Sequence, residues 1–329
     1  MKKLRWGIIS TANIGVKKVI PAMQVGNFCD VTAIASRDPE QAKSTAELLG
    51  IPKYYGSYEE LLADPEIDAV YIPLPNHLHI PFTIKALEAN KHVLCEKPLG
   101  MTSDEVLKLQ KIASEKPYLK VMEAFMYRFH PQLEKAKQLI AEGAIGTLKN
   151  IHSCFSYFNN DPDNIRNKRE MGGGGLMDIG CYCISISRYL FNNEPKNVFG
   201  IADFDPEFGT DRMVSGMLEF TNGTATFTCS MQLVPFQRAT IFGTEGRIEL
   251  EIPFNAPPDK PTSIWLHNNS GAQEITFDVV DQYTLQGDYF SEAAINQQPV
   301  PTSLDDAFLN MKTIEAVFES AASGKKVQL

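Results

Sequence analysis

A lysine, an aspartate and a tyrosine stand out in this sequence for their settings. Lys97 lies in Cys95-Glu96-Lys97-Pro98, directly after the apolar run His92-Val93-Leu94-Cys95, which reads as a buried strand. A lysine at the end of such a strand, with proline behind it, is held near protein. Desolvation lowers the pKa of a lysine, and a held ammonium can aim its protons at a ligand oxygen. Asp178 and Tyr182 follow Met171-Gly172-Gly173-Gly174-Gly175, where glycines let backbone approach a ligand closely. Lying four apart, they share one face of a helix, so a carboxylate and a phenol can meet the same small molecule. Each residue also has a plain structural use. A strand-end lysine can be a solvated charge, Asp178 an acid favoured by the helix dipole, and Tyr182 a half-buried aromatic.

The framework for these groups begins with an apolar run over residues 4–9. It ends in Ser10-Thr11-Ala12-Asn13-Ile14-Gly15, and a helical pattern follows through Val16, Val19, Ile20 and Met23. The turn has the spacing of the G-x-G-x-x-G dinucleotide fingerprint, with Ser10 and Ala12 in place of the first two glycines. Both are small enough for backbone N–H groups to approach a pyrophosphate, so residues 10–14 are cofactor-binding candidates. An ordinary strand-to-helix turn is the competing reading. The second strand ends in Ser36-Arg37-Asp38. A hydroxyl and a guanidinium there suit the 2′-phosphate of NADP, and Asp38 before Pro39 serves as a helix N-cap; NADP is favoured over NAD.

Strand and helix patterns then alternate to residue 124, with Ser57 and Thr102 as further N-caps. This predicts a doubly wound parallel sheet with ligands at the carboxyl ends of its strands. Pro73-Leu74-Pro75-Asn76-His77-Leu78-His79 and Glu96-Lys97-Pro98 form two of those ends. Asn76 and His79 offer an amide and an imidazole to a cofactor, or cap the next helix. With no carboxylate or thiol nearby to complete a site, metal is not expected.

After Ala124-Phe125-Met126-Tyr127-Arg128-Phe129-His130-Pro131 the pattern changes. A helix to about 141, a long strand over 148–158 and a polar loop over 159–170 lead to the glycine run. From residue 198 short strands dominate, with Asn222-Gly223 as a hairpin turn and 283–297 and 304–323 as helices. The expected division is 1–124 for dinucleotide binding and 125–329 for substrate binding and oligomerisation. The second domain is predicted to be α+β with a large, open, mostly antiparallel sheet. A sheet face with too few helices to cover it packs most simply on another copy of itself, as a homodimer or homotetramer.

Composition sets the outer limits. The 329 residues are 43% hydrophobic and 22% charged, with a net charge of −9. A broad nucleic-acid surface is therefore not expected. Six scattered cysteines, mostly in apolar runs, suit reduced thiols in a cytoplasmic protein. The first residues lack a signal-peptide core, and no apolar run is long enough for a bilayer.

Taken together, WGIISTANIG, SRD, PNHLH, CEKP, FMYRFHP, GGGGLMDIGCYCI and SGKKVQL resemble the Gfo/Idh/MocA oxidoreductases over nearly the whole chain. The resemblance is nearest to the branch of dimeric dihydrodiol dehydrogenase and NADP-dependent D-xylose dehydrogenase. It implies that Lys97 is the essential lysine, Asp178 an orienting acid and Tyr182 the proton donor or acceptor. It also implies a dimer through the open sheet. Many inositol-type members have His where Tyr182 stands, which puts their substrate in doubt for this chain. The expected activity is hydride transfer between nicotinamide and a carbinol carbon of a sugar, polyol or cyclic diol. Ser36, Arg37, Pro73, Asn76, His79, Glu96, Lys97 and Arg128 join residues 10–14 as cofactor-binding candidates. Lys97, Asp178 and Tyr182, drawn from the two domains, are expected to converge on one cleft. Competing functions on the same fold are a non-catalytic nucleotide- or sugar-sensing regulator and a redox-neutral glycosidase with bound NAD.

Overall fold

In the computed structural model, which describes residues 2–329, the chain divides into two compact units. The first holds the residues up to 126 together with Gln282–Phe308, and the second holds Tyr127–Asp281 with Leu309–Leu329.

The first unit alternates strand and helix: β1 (Leu4–Ile9), α1 (Ile20–Gln24), β2 (Cys29–Ala35), α2 (Pro39–Leu49), β3 (Lys53–Tyr55), α3 (Tyr58–Ala63), β4 (Ala69–Ile72), α4 (His79–Glu88), β5 (His92–Glu96), α5 (Ser103–Ser114) and β6 (Val121–Ala124). The strands are parallel in the order β3-β2-β1-β4-β5-β6, so the order reverses beside β1. Helices cover both faces of such a sheet, which is why β4 is buried at every residue. The three expected caps are present. Asp38 accepts from Glu40 N and Gln41 N, Ser57 from Glu60 N, and Thr102 from Glu105 N. Each satisfies backbone donors that the helix itself leaves open.

The second unit contains α6 (Pro131–Ala141), β7 (Leu148–Phe158), α7 (Cys181–Phe191), β8 (Asn197–Phe204), β9 (Asp211–Glu219), β10 (Thr224–Ser230), β11 (Gln232–Gly243), β12 (Gly246–Leu250), β13 (Thr262–Asn268) and β14 (Gly271–Phe277). Late in the chain come α8 (Gln282–Ile295), α9 (Leu304–Ser323) and β15 (Val327–Gln328). The nine-stranded sheet has the order β14-β13-β12-β11-β7-β10-β9-β8-β15. Every adjacent pair is antiparallel except β7 with β10. Along β9, Val214 and Leu218 point into the core while Met213 and Met217 are exposed, the period-two pattern of a half-covered sheet.

A single cut at 124 does not describe the first unit, because α8 returns to it. The Trp6 ring lies 5.2 Å from Phe290, its Nε1 donates to Ser291 Oγ at 3.0 Å, and Asp288 accepts from Asn27 N and Phe28 N. A buried tryptophan needs both an apolar cover and an acceptor, and α8 brings both. No helix among the described residues is long and apolar enough to cross a membrane.

Candidate active site

The loop after β1 is tight and polar at its backbone. Ser10 adopts φ 105°, in the left-handed region that a glycine enters more easily. Its Oγ accepts from Ala12 N at 3.2 Å, which offsets part of that strain. The first helical bond runs from Val16 N to Ala12 O, and after Asn13 and Ile14 the helix passes into a π turn, Gly15–Val19. The N–H groups of Thr11, Asn13 and Ile14 have no hydrogen-bond acceptor among the described residues. Unmet donors at a helix start, on the strand where sheet order reverses, fit the pyrophosphate of a dinucleotide.

At the end of β2, Ser36 is buried; its Oγ accepts from Asp38 N and donates to Gln41 Oε1. Asp38 is taken up as the cap of α2, whereas Arg37 is exposed. At the ends of β4 and β5 two loops are tied together. His79 is fully buried, with Nδ1 2.8 Å from Pro98 O and Nε2 2.7 Å from Leu74 O. Burial first, and the nearby Lys97 charge further, push its pKa down to about 4. The imidazole expected to reach a cofactor is thus turned inward, because two buried carbonyls need partners more than the solvent-facing side does. On the other flank of Lys97, the buried Glu123 accepts from Leu99 N at 2.8 Å. Glu96 accepts from the buried Tyr71 hydroxyl at 2.7 Å. Lys97 itself is half-buried. Pro73 is buried, and Asn76 opens a short 3₁₀ turn, Asn76–Leu78.

In the second unit a π turn, Leu176–Gly180, runs directly into α7. Single π turns inside helices recur at functional sites. Asp178 sits in this turn and Tyr182 in the first turn of α7. Asp178 Oδ2 accepts from the Tyr157 hydroxyl at 2.6 Å and from Arg166 Nε at 2.9 Å. The Asp178 charge raises the Arg166 pKa despite desolvation, and burial with that same charge raises that of Tyr157. Arg166 is two-fifths exposed, and its Nη atoms make no hydrogen bond among the described residues. The Tyr182 ring is buried among Tyr127, Phe155 and Phe254, at centroid distances of 5.5, 5.7 and 5.5 Å. Arg128 donates from Nε and Nη2 to Ser185 Oγ and lies over Tyr189, so part of its fork is committed to α7.

Sequence reasoning missed Tyr157 as the second donor to Asp178 and overlooked Asp211 altogether. Asp211 is 2% exposed, and its Oδ2 accepts from Leu176 N at 2.6 Å at the head of the π turn. The sequence carries no local signal for it, since Asp211 lies among other charges, beside Arg212 and 35 positions after Leu176.

The two units define an oxidoreductase that carries an NAD-binding domain. Residues 4–125 match the oxidoreductase family with NAD-binding Rossmann fold, and residues 133–249 match the GFO/IDH/MocA C-terminal domain. The chain belongs to the Gfo/Idh/MocA family. It is 39% identical to a D-xylose 1-dehydrogenase (NADP(+)) of Haloferax volcanii over 99% of this chain and 100% of that one. It is 38% identical to a trans-1,2-dihydrobenzene-1,2-diol dehydrogenase of Xenopus laevis, over 75% and 74% of the two chains. Among solved structures it is similar to aldose-aldose oxidoreductase from Caulobacter crescentus, complexed with glycerol, with TM-score 0.92, 26% identity and full coverage of both chains.

Proposed function

We propose that this enzyme is an NADP-dependent dehydrogenase or reductase acting on a neutral sugar, polyol or cyclic diol. The observation that carries the reading is the Asp178–Arg166–Tyr157 network one turn before Tyr182. Arg166 offsets the Asp178 charge, so the carboxylate opposes a Tyr182 phenolate less than a bare one would. The same pair has no net charge, while the Arg166 Nη groups have donors to give. That combination suits uncharged hydroxyls better than a phosphate.

In this reading the Ser10–Ile14 backbone and Asn76 hold the dinucleotide, and Arg37 takes its 2′-phosphate. Held there, a nicotinamide would supply the hydride chemistry. Tyr182 takes the substrate hydroxyl proton in oxidation and returns it in reduction. A free phenol titrates near 10, so this role needs a cation that favours phenolate, and Lys97 is that cation. Asp178 orients the substrate hydroxyl. Ile201, Met213, Met217, Val234 and Phe236 expose apolar side chains on the large sheet, which supports a homodimer or homotetramer through that sheet. Six free cysteines, five of them buried, fit a reducing compartment such as the cytoplasm.

Tyr182→Phe and Lys97→Met test the assignment. Each should keep NADPH affinity in a fluorescence titration and lower kcat by about 10²–10⁴-fold. NADPH should also bind the wild type more tightly than NADH. Either variant turning over at the wild-type rate sinks the assignment.

A further inference from the structure

Asp211 opens β9 and is buried to 2% exposure, yet no step of the proposed reaction uses it. It lies under the glycine run. Gly174 holds φ 119°, and a Cβ there would collide with the Asp211 carboxylate. The carboxylate takes the Leu176 N–H at 2.6 Å and is also stabilised by the Gly175 N–H and by its own backbone. Those amides are among the open donors at the head of the Leu176–Gly180 turn. A charged acceptor at that place makes a short, strong bond. The carboxylate is therefore the peg on which the turn bearing Asp178, and the helix bearing Tyr182, is hung.

We propose that Asp211 is a positioning residue for Asp178 and Tyr182, more effective when ionised. This rests on the reading of those two residues given above. The groups around it are few. Asp178 on the turn opposes its charge, the Cys229 thiol on β10 lies beside it, and the neighbouring Arg212 is bonded away to Asp203 at 2.8 Å. Burial, with a smaller push from Asp178, raises its pKa from 3.8 to about 7. The folded protein thus holds the Asp211 proton more tightly than the unfolded chain does. Its contribution to stability is complete below about 4 and is lost as pH rises through about 7. Positioning runs the other way, because the ionised carboxylate grips the amides more strongly than the neutral acid does.

The test is Asp211→Asn beside the wild type. Wild-type kcat should rise about tenfold between about pH 6 and about pH 8 while thermal stability falls, the pattern of one group with a midpoint near 7. Asp211→Asn should lose both trends, with kcat at the high end about tenfold below wild type and NADPH affinity unchanged. A merely structural carboxylate would make activity follow stability, and a variant with the wild-type kcat profile overturns the proposal. Loss of kcat in Tyr182→Phe together with an unchanged profile in Asp211→Asn would reject this inference alone; a fully active Tyr182→Phe rejects the reading beneath it. If Asp211→Asn does not fold, hydrogen exchange at the Leu176 amide of the wild type decides. Protection, corrected for intrinsic rate, should rise about tenfold over the same range, and flat protection overturns the proposal.

Discussion

The molecule contains two loops of similar design that reach opposite electrostatic ends. Ser10–Gly15 and Gly172–Gly175 each lead into a π turn, Gly15–Val19 in one unit and Leu176–Gly180 in the other. Each contains residues at positive φ, Ser10 in the first and Gly172 and Gly174 in the second. In the first loop the N–H groups of Thr11, Asn13 and Ile14 have no acceptor among the described residues. In the second, the Leu176 and Gly175 amides are taken by the buried Asp211 carboxylate. A helix start left open attracts an anion from outside. One closed by its own acid attracts none and is free to aim side chains. The two loops thus suit the different parts proposed for them, backbone donors for a cofactor in the first and the side chains of Asp178 and Tyr182 for substrate and proton after the second.

Three substitutions probe this difference. Gly174→Ala forces a Cβ onto the Asp211 carboxylate at a φ that alanine resists. It should lower stability by about 2–3 kcal/mol in denaturant titrations and depress turnover, leaving NADPH affinity intact. A stable, fully active variant would mean that the closed loop is not sensitive to its acid. Ala12→Asp converts the open loop into a closed one. Ala12 O accepts the first helical bond, so a carboxylate there caps the N–H groups that follow. Cofactor affinity should fall by about tenfold or somewhat more, about 1.4–2 kcal/mol, while melting temperature rises slightly. Unchanged affinity would argue that the open donors do not hold the pyrophosphate. Ser10→Gly removes a side chain from φ 105° at the cost of one 3.2 Å bond to Ala12 N. A net gain of about 0.5–1 kcal/mol is expected, and a loss would show that the hydroxyl outweighs the strain.

Much of this arrangement was legible in the sequence because the signals were local. Strand–helix alternation gave the parallel sheet, and Asp38, Ser57 and Thr102 cap the helices that their spacing announces. Asn222-Gly223 sits in the hairpin between β9 and β10, where Glu219 pairs with Thr224. What escaped was non-local or masked. β3 is three residues long with none buried, so it lacks an apolar signature. The first half of β11 contains Pro235 and is mostly exposed, which disguises it as loop. Asp211 looks like one charge beside another, Arg212, until the fold brings it under a residue 35 positions earlier. His79 reads as a polar group at a strand end, and only the tertiary structure reveals that its ring bridges two carbonyls.

The return of α8 to the first unit bears on the order of synthesis. The parallel sheet is complete in sequence at β6, yet Trp6 waits for Phe290 and Ser291, and the Asn27 and Phe28 amides wait for Asp288. A growing chain therefore exposes one apolar seam of its first unit while the whole nine-stranded sheet, save β15, is still being made. Chains released before residue 295 should be the ones that chaperones and proteases capture, and a fragment ending at residue 124 should fold only if Trp6 and Cys29 are replaced by polar residues or covered in trans.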